Sequence, residues 1–145
     1  MRVDVTSGAV DQVKQAVPVF AALEGERRPE KLAPSSKTTE LASRLTQCEF
    51  RGALNETTLL PHGKGWAIVV GTGKAKDLSL DRVRQFAATA ARFGRARGFS
   101  ALALPLLHSN EVGEAETVAQ AITEGALLGL YRYDKYRKVP KHAQG

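Results

Sequence analysis

Apolar positions recur along this chain with two periods, near two and near 3.6, and the switches between them predict an α/β fold. Residues 2–6 alternate with Val3 and Val5 on one side, which predicts a short opening strand. Residues 10–15 suit a helical turn, whereas Ala16-Val-Pro-Val-Phe-Ala-Ala22 predicts a buried strand. Pro18 lacks an N–H, so that strand is restricted there to an edge or an end. Residues 24–37 hold two prolines, a glycine and many charges, and predict a surface loop or a broken helix. Thr38 or Thr39 is placed to cap a helix running through Gln47. On it Leu41, Leu45 and Cys48 fall at i, i+4 and i+7, so Cys48 is expected to face the core at the helix end.

The second half is more regular. Residues 57–61 and 65–71 predict an antiparallel hairpin across His62-Gly-Lys-Gly65. The unbroken apolar run Ile68-Val-Val70 is that of a strand covered on both faces, which calls for helices on both sides of the sheet. Ser79 suits a helix cap, with Asp81 in the first turn to complement the helix dipole. Val83, Phe86, Ala87, Ala90, Phe93 and Gly94 then make one stripe for the core, and Arg84, Arg92 and Arg95 a narrow solvated arc opposite. Residues 99–107 predict the next buried strand, and Glu114 opens a last helix. Its Val118, Ile122, Gly125, Ala126 and Gly129 form a face of small residues, where the glycines permit close approach to the sheet or to another helix. Strand, helix, strand, helix predicts parallel pairing between residues 67–70 and 101–104 through a right-handed crossover. The hairpin makes the sheet mixed.

Composition narrows the class. A chain of 145 residues makes one ordinary domain, and 43% hydrophobic with 25% charged residues argues against wholesale disorder. The single cysteine excludes an internal disulfide, and the start Met1-Arg-Val-Asp-Val lacks the apolar stretch of a secretory signal, so the expected location is cytoplasmic. The apolar runs at 101–107 and 125–131 are too short to span a bilayer, so no membrane partner is expected. The formal charge of +6 is concentrated late, where Arg132, Lys135, Arg137, Lys138 and Lys141 stand against Asp134. We therefore read residues 1–137 as one domain and 138–145 as a basic linker or tail.

Three segments, in order along the chain, carry a family resemblance. The first is Glu49-Phe-Arg-Gly-Ala-Leu-Asn-Glu56, similar to a Phe-x-Gly-x-x-x-Glu stretch before a strand. The second is Ala67-Ile-Val-Val-Gly-Thr-Gly-Lys74, similar to a strand ending in Val-Gly-x-Gly-Lys, after which the helix with Arg84 falls at the next helical position. The third is Glu124-Gly-Ala-Leu-Leu-Gly-Leu-Tyr-Arg-Tyr-Asp-Lys-Tyr136, which fits Glu-Gly-x-x-Leu-x-x-Tyr-(Arg or Lys)-(Phe or Tyr)-Asp-x-Tyr. Together they resemble the amino-terminal domain of the leucyl aminopeptidase (cytosol aminopeptidase) family. The resemblance implies a three-layer α/β/α unit with a mixed, partly parallel sheet, macro-domain-like. It also implies a parent enzyme that is a two-metal exopeptidase releasing amino-terminal residues such as leucine, with zinc or manganese in a catalytic domain absent here, assembled as a homo-hexamer.

This chain offers little chemistry of its own. A two-metal peptidase needs clustered carboxylates to hold the cations that generate hydroxide. The family's catalytic Asn-Thr-Asp-Ala-Glu-Gly-Arg-Leu does not occur, and Glu111, Glu114 and Glu116 are explained by a helix start. Gly71-Thr-Gly-Lys74 follows a strand and precedes a helix, as phosphate loops do, but Ile68 and Ala75 stand where a nucleoside triphosphate loop requires Gly and Ser or Thr. A structural strand-end turn is the expectation, with a weak anion site as the alternative. His62, His108 and His142 are widely separated and expected in exposed turns or the tail, and Cys48 has no histidine near it in sequence. Tyr131 is expected to complete the last helix's packing, and Tyr133 and Tyr136 to anchor the linker or meet the catalytic domain.

The expectation is therefore a non-catalytic domain with no catalytic, cofactor or metal residues, supporting assembly and access to the active site. Its expected partners are the catalytic domain of the same polypeptide and further copies of itself. The alternative is an independent macro-like module binding a nucleotide, ADP-ribose or nucleic acid. In that case Lys74, Arg84, Arg92 and Arg95 are the candidate weak contacts.

Overall fold

The computed structural model of the chain describes residues 16–24, 38–63, 65–106 and 113–144. The elements are β1 (Val17–Leu23), α1 (Thr38–Gln47), β2 (Thr57–His62), β3 (Gly65–Gly73), a short 3-10 turn (Ala75–Asp77), α2 (Leu80–Ala96), β4 (Leu102–Ala103) and α3 (Ala115–Gln144). The strands form one mixed sheet in the order β2-β3-β1-β4, with β1 parallel to both neighbours and β2 antiparallel to β3. The α/β class is as the pattern predicts. The expected opening strand at 2–6, the turn at 10–15 and the loop from residue 25 to 37 lie outside the described residues.

The direct pairing predicted between β3 and β4 does not occur, because β1 lies between them. Its residues Val19, Phe20, Ala21 and Ala22 are completely buried, which requires cover on both edges as well as both faces. Pro18 is tolerated because it sits at the strand's start. Pairing with β3 begins only at Val19 opposite Ile68, while Val17 and Pro18 lie against Leu102 and Ala103. The predicted strand over 99–107 shrinks to those two residues of β4. Gly98, at a φ of 84°, turns the chain out of α2, and Pro105 removes a donor just beyond the pair.

Each sheet face buries its own cluster. On one, Val19, Ala21, Leu23, Ile68 and Val70 meet Val83, Phe86, Ala87 and Ala90 of α2 and Val118, Ala121, Ile122 and Ala126 of α3. On the other, Phe20, Ala22, Leu60, Ala67 and Val69 meet Leu45 of α1 and Phe50 just beyond it. The alternation of β1 and β3 between these two sets explains their apolar runs. Cys48, expected in the core, is exposed. The helix stops at Gln47, Glu49 takes a left-handed φ of 60°, and the Phe50 amide donates to the Leu45 carbonyl at 3.1 Å, so that Phe50 fills the place instead. Thr38 is already the first helical residue, and the position that would cap it lies outside the described residues.

Helix α2 begins as its sequence predicts, with the Ser79 hydroxyl accepting from the Arg82 amide at 3.3 Å. Its buried face is wider than one stripe and includes Thr89 and Ala91, because the helix contacts the sheet on one side and α3 on the other. The small-residue face of α3 finds a helix, not the sheet. A Cβ on Gly125 would lie 2.2 Å from the Arg84 carbonyl oxygen, and one on Gly129 would lie 2.7 Å from that of Ala88. Both contacts advance by four residues, so α2 and α3 run in the same direction and in step.

Candidate functional site

The place where an α/β sheet most often receives a ligand is the carboxyl end of its parallel strands. Here that end of β1 and β3 is occupied by the chain's own residues 50–56. The Gly71 amide donates to the Glu56 carbonyl at 2.7 Å, and the Gly73 amide to that of Gly52 at 3.0 Å. In return the Asn55 amide donates to the Gly71 carbonyl, and the Glu24 amide to that of Gly73. The loop is folded by the Glu56 carboxylate, which accepts from the Arg51 and Ala53 amides, each at 3.1 Å. Asn55, at a φ of 65°, accepts through Oδ1 from the Thr89 hydroxyl of α2 at 3.0 Å.

Two glycines make this closeness possible. Gly52 has a φ of +80°, and a Cβ on it would meet the Leu23 carbonyl oxygen at 2.3 Å. A Cβ on Gly71 would meet the Ala53 carbonyl oxygen at 2.0 Å. The Phe-x-Gly-x-x-x-Glu stretch thus resolves into a core anchor, a close-approach glycine and a carboxylate brace. The Gly71-Thr-Gly-Lys74 turn spends its glycine amides on that loop, and the Thr72 hydroxyl donates to the Ala22 carbonyl at 3.2 Å. An anion would find neither glycine N–H free. The brace by Glu56 and the Asn55–Thr89 bond were not foreseen, although the motif that contains them was.

The candidate basic residues do not converge. Lys74 is exposed at the end of β3, and Arg84 and Arg95 are exposed on α2 with Arg92 half-buried between them. At about 1.5 Å per residue, Arg84 and Arg95 are ~17 Å apart along the helix. Arg84 is engaged by Glu124 of α3, Nε to Oε1 at 3.4 Å. Beyond the candidates, the Arg97 guanidinium lies over the Phe93 ring, 4.8 Å from its centre.

His62 contradicts its expected exposure, being only 7% accessible. Strand β2 continues through it, opposite Gly65, so the turn is shorter than four residues. Alternation along β2 places His62 on the same face as Leu60, where it meets the Phe20 ring edge-on at 5.5 Å between centres. The side chains of His108, His142, Tyr133 and Tyr136 lie outside the described residues. Tyr131 does not complete helix packing as expected, because it is 65% exposed. Cys48 Sγ lies 3.5 Å from the Leu45 carbonyl oxygen. Among the described residues no three His, Cys, Asp or Glu side chains are grouped so as to hold a metal ion, and no helix is long and apolar enough to cross a membrane.

Comparison with known proteins supplies the context. A sequence model of the cytosol aminopeptidase family, N-terminal domain, matches residues 16–140. A probable cytosol aminopeptidase of Geotalea uraniireducens is 40% identical over 107 residues, covering 70% of this chain and 21% of the relative. One of Roseiflexus castenholzii is 33% identical over 144 residues, covering 94% of this chain and 27% of the relative. One of Aquifex aeolicus is 31% identical over 128 residues, covering 85% and 25%. The chain therefore spans only about a fifth to a quarter of the length of these curated relatives. From the match over residues 16–140, the chain belongs to the cytosol aminopeptidase family and represents its N-terminal domain.

Proposed function

We propose that this chain is the non-catalytic, amino-terminal part of a metallo-exopeptidase that releases amino-terminal residues, and that it supports assembly and access to the active site. One observation carries the reading: the strand ends that would receive a ligand are filled by residues 50–56, and the glycine amides of the turn are spent on that loop. A domain closed in this way serves as a scaffold. On this reading the zinc or manganese is held by carboxylates on another part of the polypeptide.

On the same reading its partners are that catalytic part and further copies of the chain in a homo-hexamer. The same reading makes the layered arrangement macro-like and the compartment the cytosol that the relatives' name gives. Lys74, Arg84, Arg92 and Arg95 contribute only diffuse positive charge.

The test is hydrolysis of leucine amide with added zinc or manganese. The expected result is no turnover by this chain and metal-dependent turnover by a polypeptide that continues beyond it. Turnover by the chain alone, with contaminating peptidase excluded, would overturn the reading.

A further inference from the structure

Helix α3 has two unlike sides. Gly125 and Gly129 are committed to α2, but Leu127, Leu128 and Tyr131 are 46%, 54% and 65% exposed. At 100° per residue these three fall within a single arc of about 100°, so they form one face. Earlier on the helix its exposed positions after Ala115 are polar, among them Glu116, Gln120 and Glu124. The exposed surface thus turns apolar over residues 127–131.

We propose that this face is the surface on which the catalytic part of the polypeptide docks, an inference that rests on the proposed function above. The three side chains expose on the order of 300 Å² of apolar surface, the scale of a functional patch. A stable bimolecular interface buries about 800 Å² on each partner. The patch is therefore small for a second copy or a free partner and sufficient for a tethered one, whose effective concentration reaches roughly the millimolar range. The tether is at hand. The family match ends at residue 140, on α3 itself, about 14 Å of helix beyond Tyr131, and the relatives are four to five times the length of the matched segment.

The occupant presents an apolar surface to Leu127 and Leu128, with a polar rim that receives the Tyr131 hydroxyl.

The experiment compares thiol labelling of Leu128→Cys in this chain with the same variant in the polypeptide that continues beyond it. Exposed Cys48 is the internal reference, read by peptide mass spectrometry. At position 128 the longer polypeptide should label at least about tenfold more slowly, as burial of an exposed site demands, with Cys48 unchanged. A second arm combines Leu127→Glu and Leu128→Glu with Tyr131→Cys. The circular dichroism of the short chain should be unchanged, because these side chains already face water, and the longer polypeptide should lose protection at position 131.

Equal labelling in both lengths, in a polypeptide that hydrolyses leucine amide, overturns the docking face and leaves the proposed function standing. Concentration-dependent protection in the short chain alone also overturns it, in favour of a second copy. A longer polypeptide without metal-dependent hydrolysis overturns the proposed function, and the docking face with it.

Discussion

Adding one methyl group at Gly125 tests the helix pair that organises one face of this domain. In Gly125→Ala the new Cβ would lie 2.2 Å from the Arg84 carbonyl oxygen and 2.8 Å from its Cα. Ordinary contact requires about 3.4 Å or more, so the helices must part by roughly 1 Å along this line. Neither neighbouring atom belongs to a side chain that could rotate away. Separation also loosens Val118, Ile122 and Ala126, which share the core with α2. Overpacking of this kind costs about 1–3 kcal/mol, opposed by the ~1 kcal/mol that alanine gains over glycine inside a helix. Because the contact is with rigid backbone we take the upper part of that range, about 2–3 kcal/mol, which leaves a net loss of ~1–2 kcal/mol and lowers the thermal midpoint by about 3–8 °C. Gly129→Ala should cost less, since its nearest atom is 2.7 Å away, and Gly65→Ala should be near neutral, with nothing within 4 Å. Thermal and urea unfolding of the three variants gives the order directly. A Gly125→Ala variant at least as stable as the parent, with an unchanged urea slope, would refute the close contact.

Other perturbations reach other parts of the argument. Glu56→Ala leaves the Arg51 and Ala53 amides without their acceptor and should cost about 1–3 kcal/mol; hydrogen exchange should quicken across residues 50–56, and unchanged protection there would remove the brace. Gly71→Ala places a Cβ 2.0 Å from the Ala53 carbonyl oxygen and should expel the same loop, read as increased proteolytic nicking near residue 53. The Arg84–Glu124 pair is about half exposed, at 45% and 51%, so a double-mutant cycle should return no more than ~0.5 kcal/mol. Binding to a short DNA duplex should be weak, indifferent to sequence and abolished by moderate salt, and deletion of residues 138–145 should weaken it further; tight, sequence-selective binding would contradict the scaffold reading.

What was legible in the sequence follows from the range of the interactions. Helices α2 and α3 carry their own periodicity, so Ser79 as cap and Val118, Ile122, Gly125, Ala126 and Gly129 as a buried face needed no partner to be recognised. The hairpin is equally local. The strand order is not, because nothing in residues 67–104 signals that β1, read earlier in the chain, will insert between β3 and β4. Cys48 and His62 went astray through small changes in backbone path. A left-handed Glu49 exchanges Cys48 for Phe50 in the core, and a shorter hairpin turn carries His62 inward with β2.

The glycine turn at 71–74 is the structural strand-end turn expected of it, and the reason its sequence leaves an anion site open as the alternative bears on function. A glycine turn at a strand end has the same sequence appearance whether its amides await a phosphate or are already bonded. Only the partners decide, and here they are the carbonyls of Glu56 and Gly52, from a loop whose own geometry depends on a carboxylate. To free the turn for a ligand, the chain would have to expose two amides and withdraw Phe50, which is buried against Leu45 and Phe20. Trading those two bonds for bonds to water costs about 0.5–1.5 kcal/mol each, and a large apolar side chain drawn out of the core costs ~3 kcal/mol more. A ligand would need better than micromolar intrinsic affinity merely to break even at micromolar concentrations. The loop that closes this end of the sheet leaves Leu127, Leu128 and Tyr131 of α3 exposed, the face we propose for contact with the catalytic part.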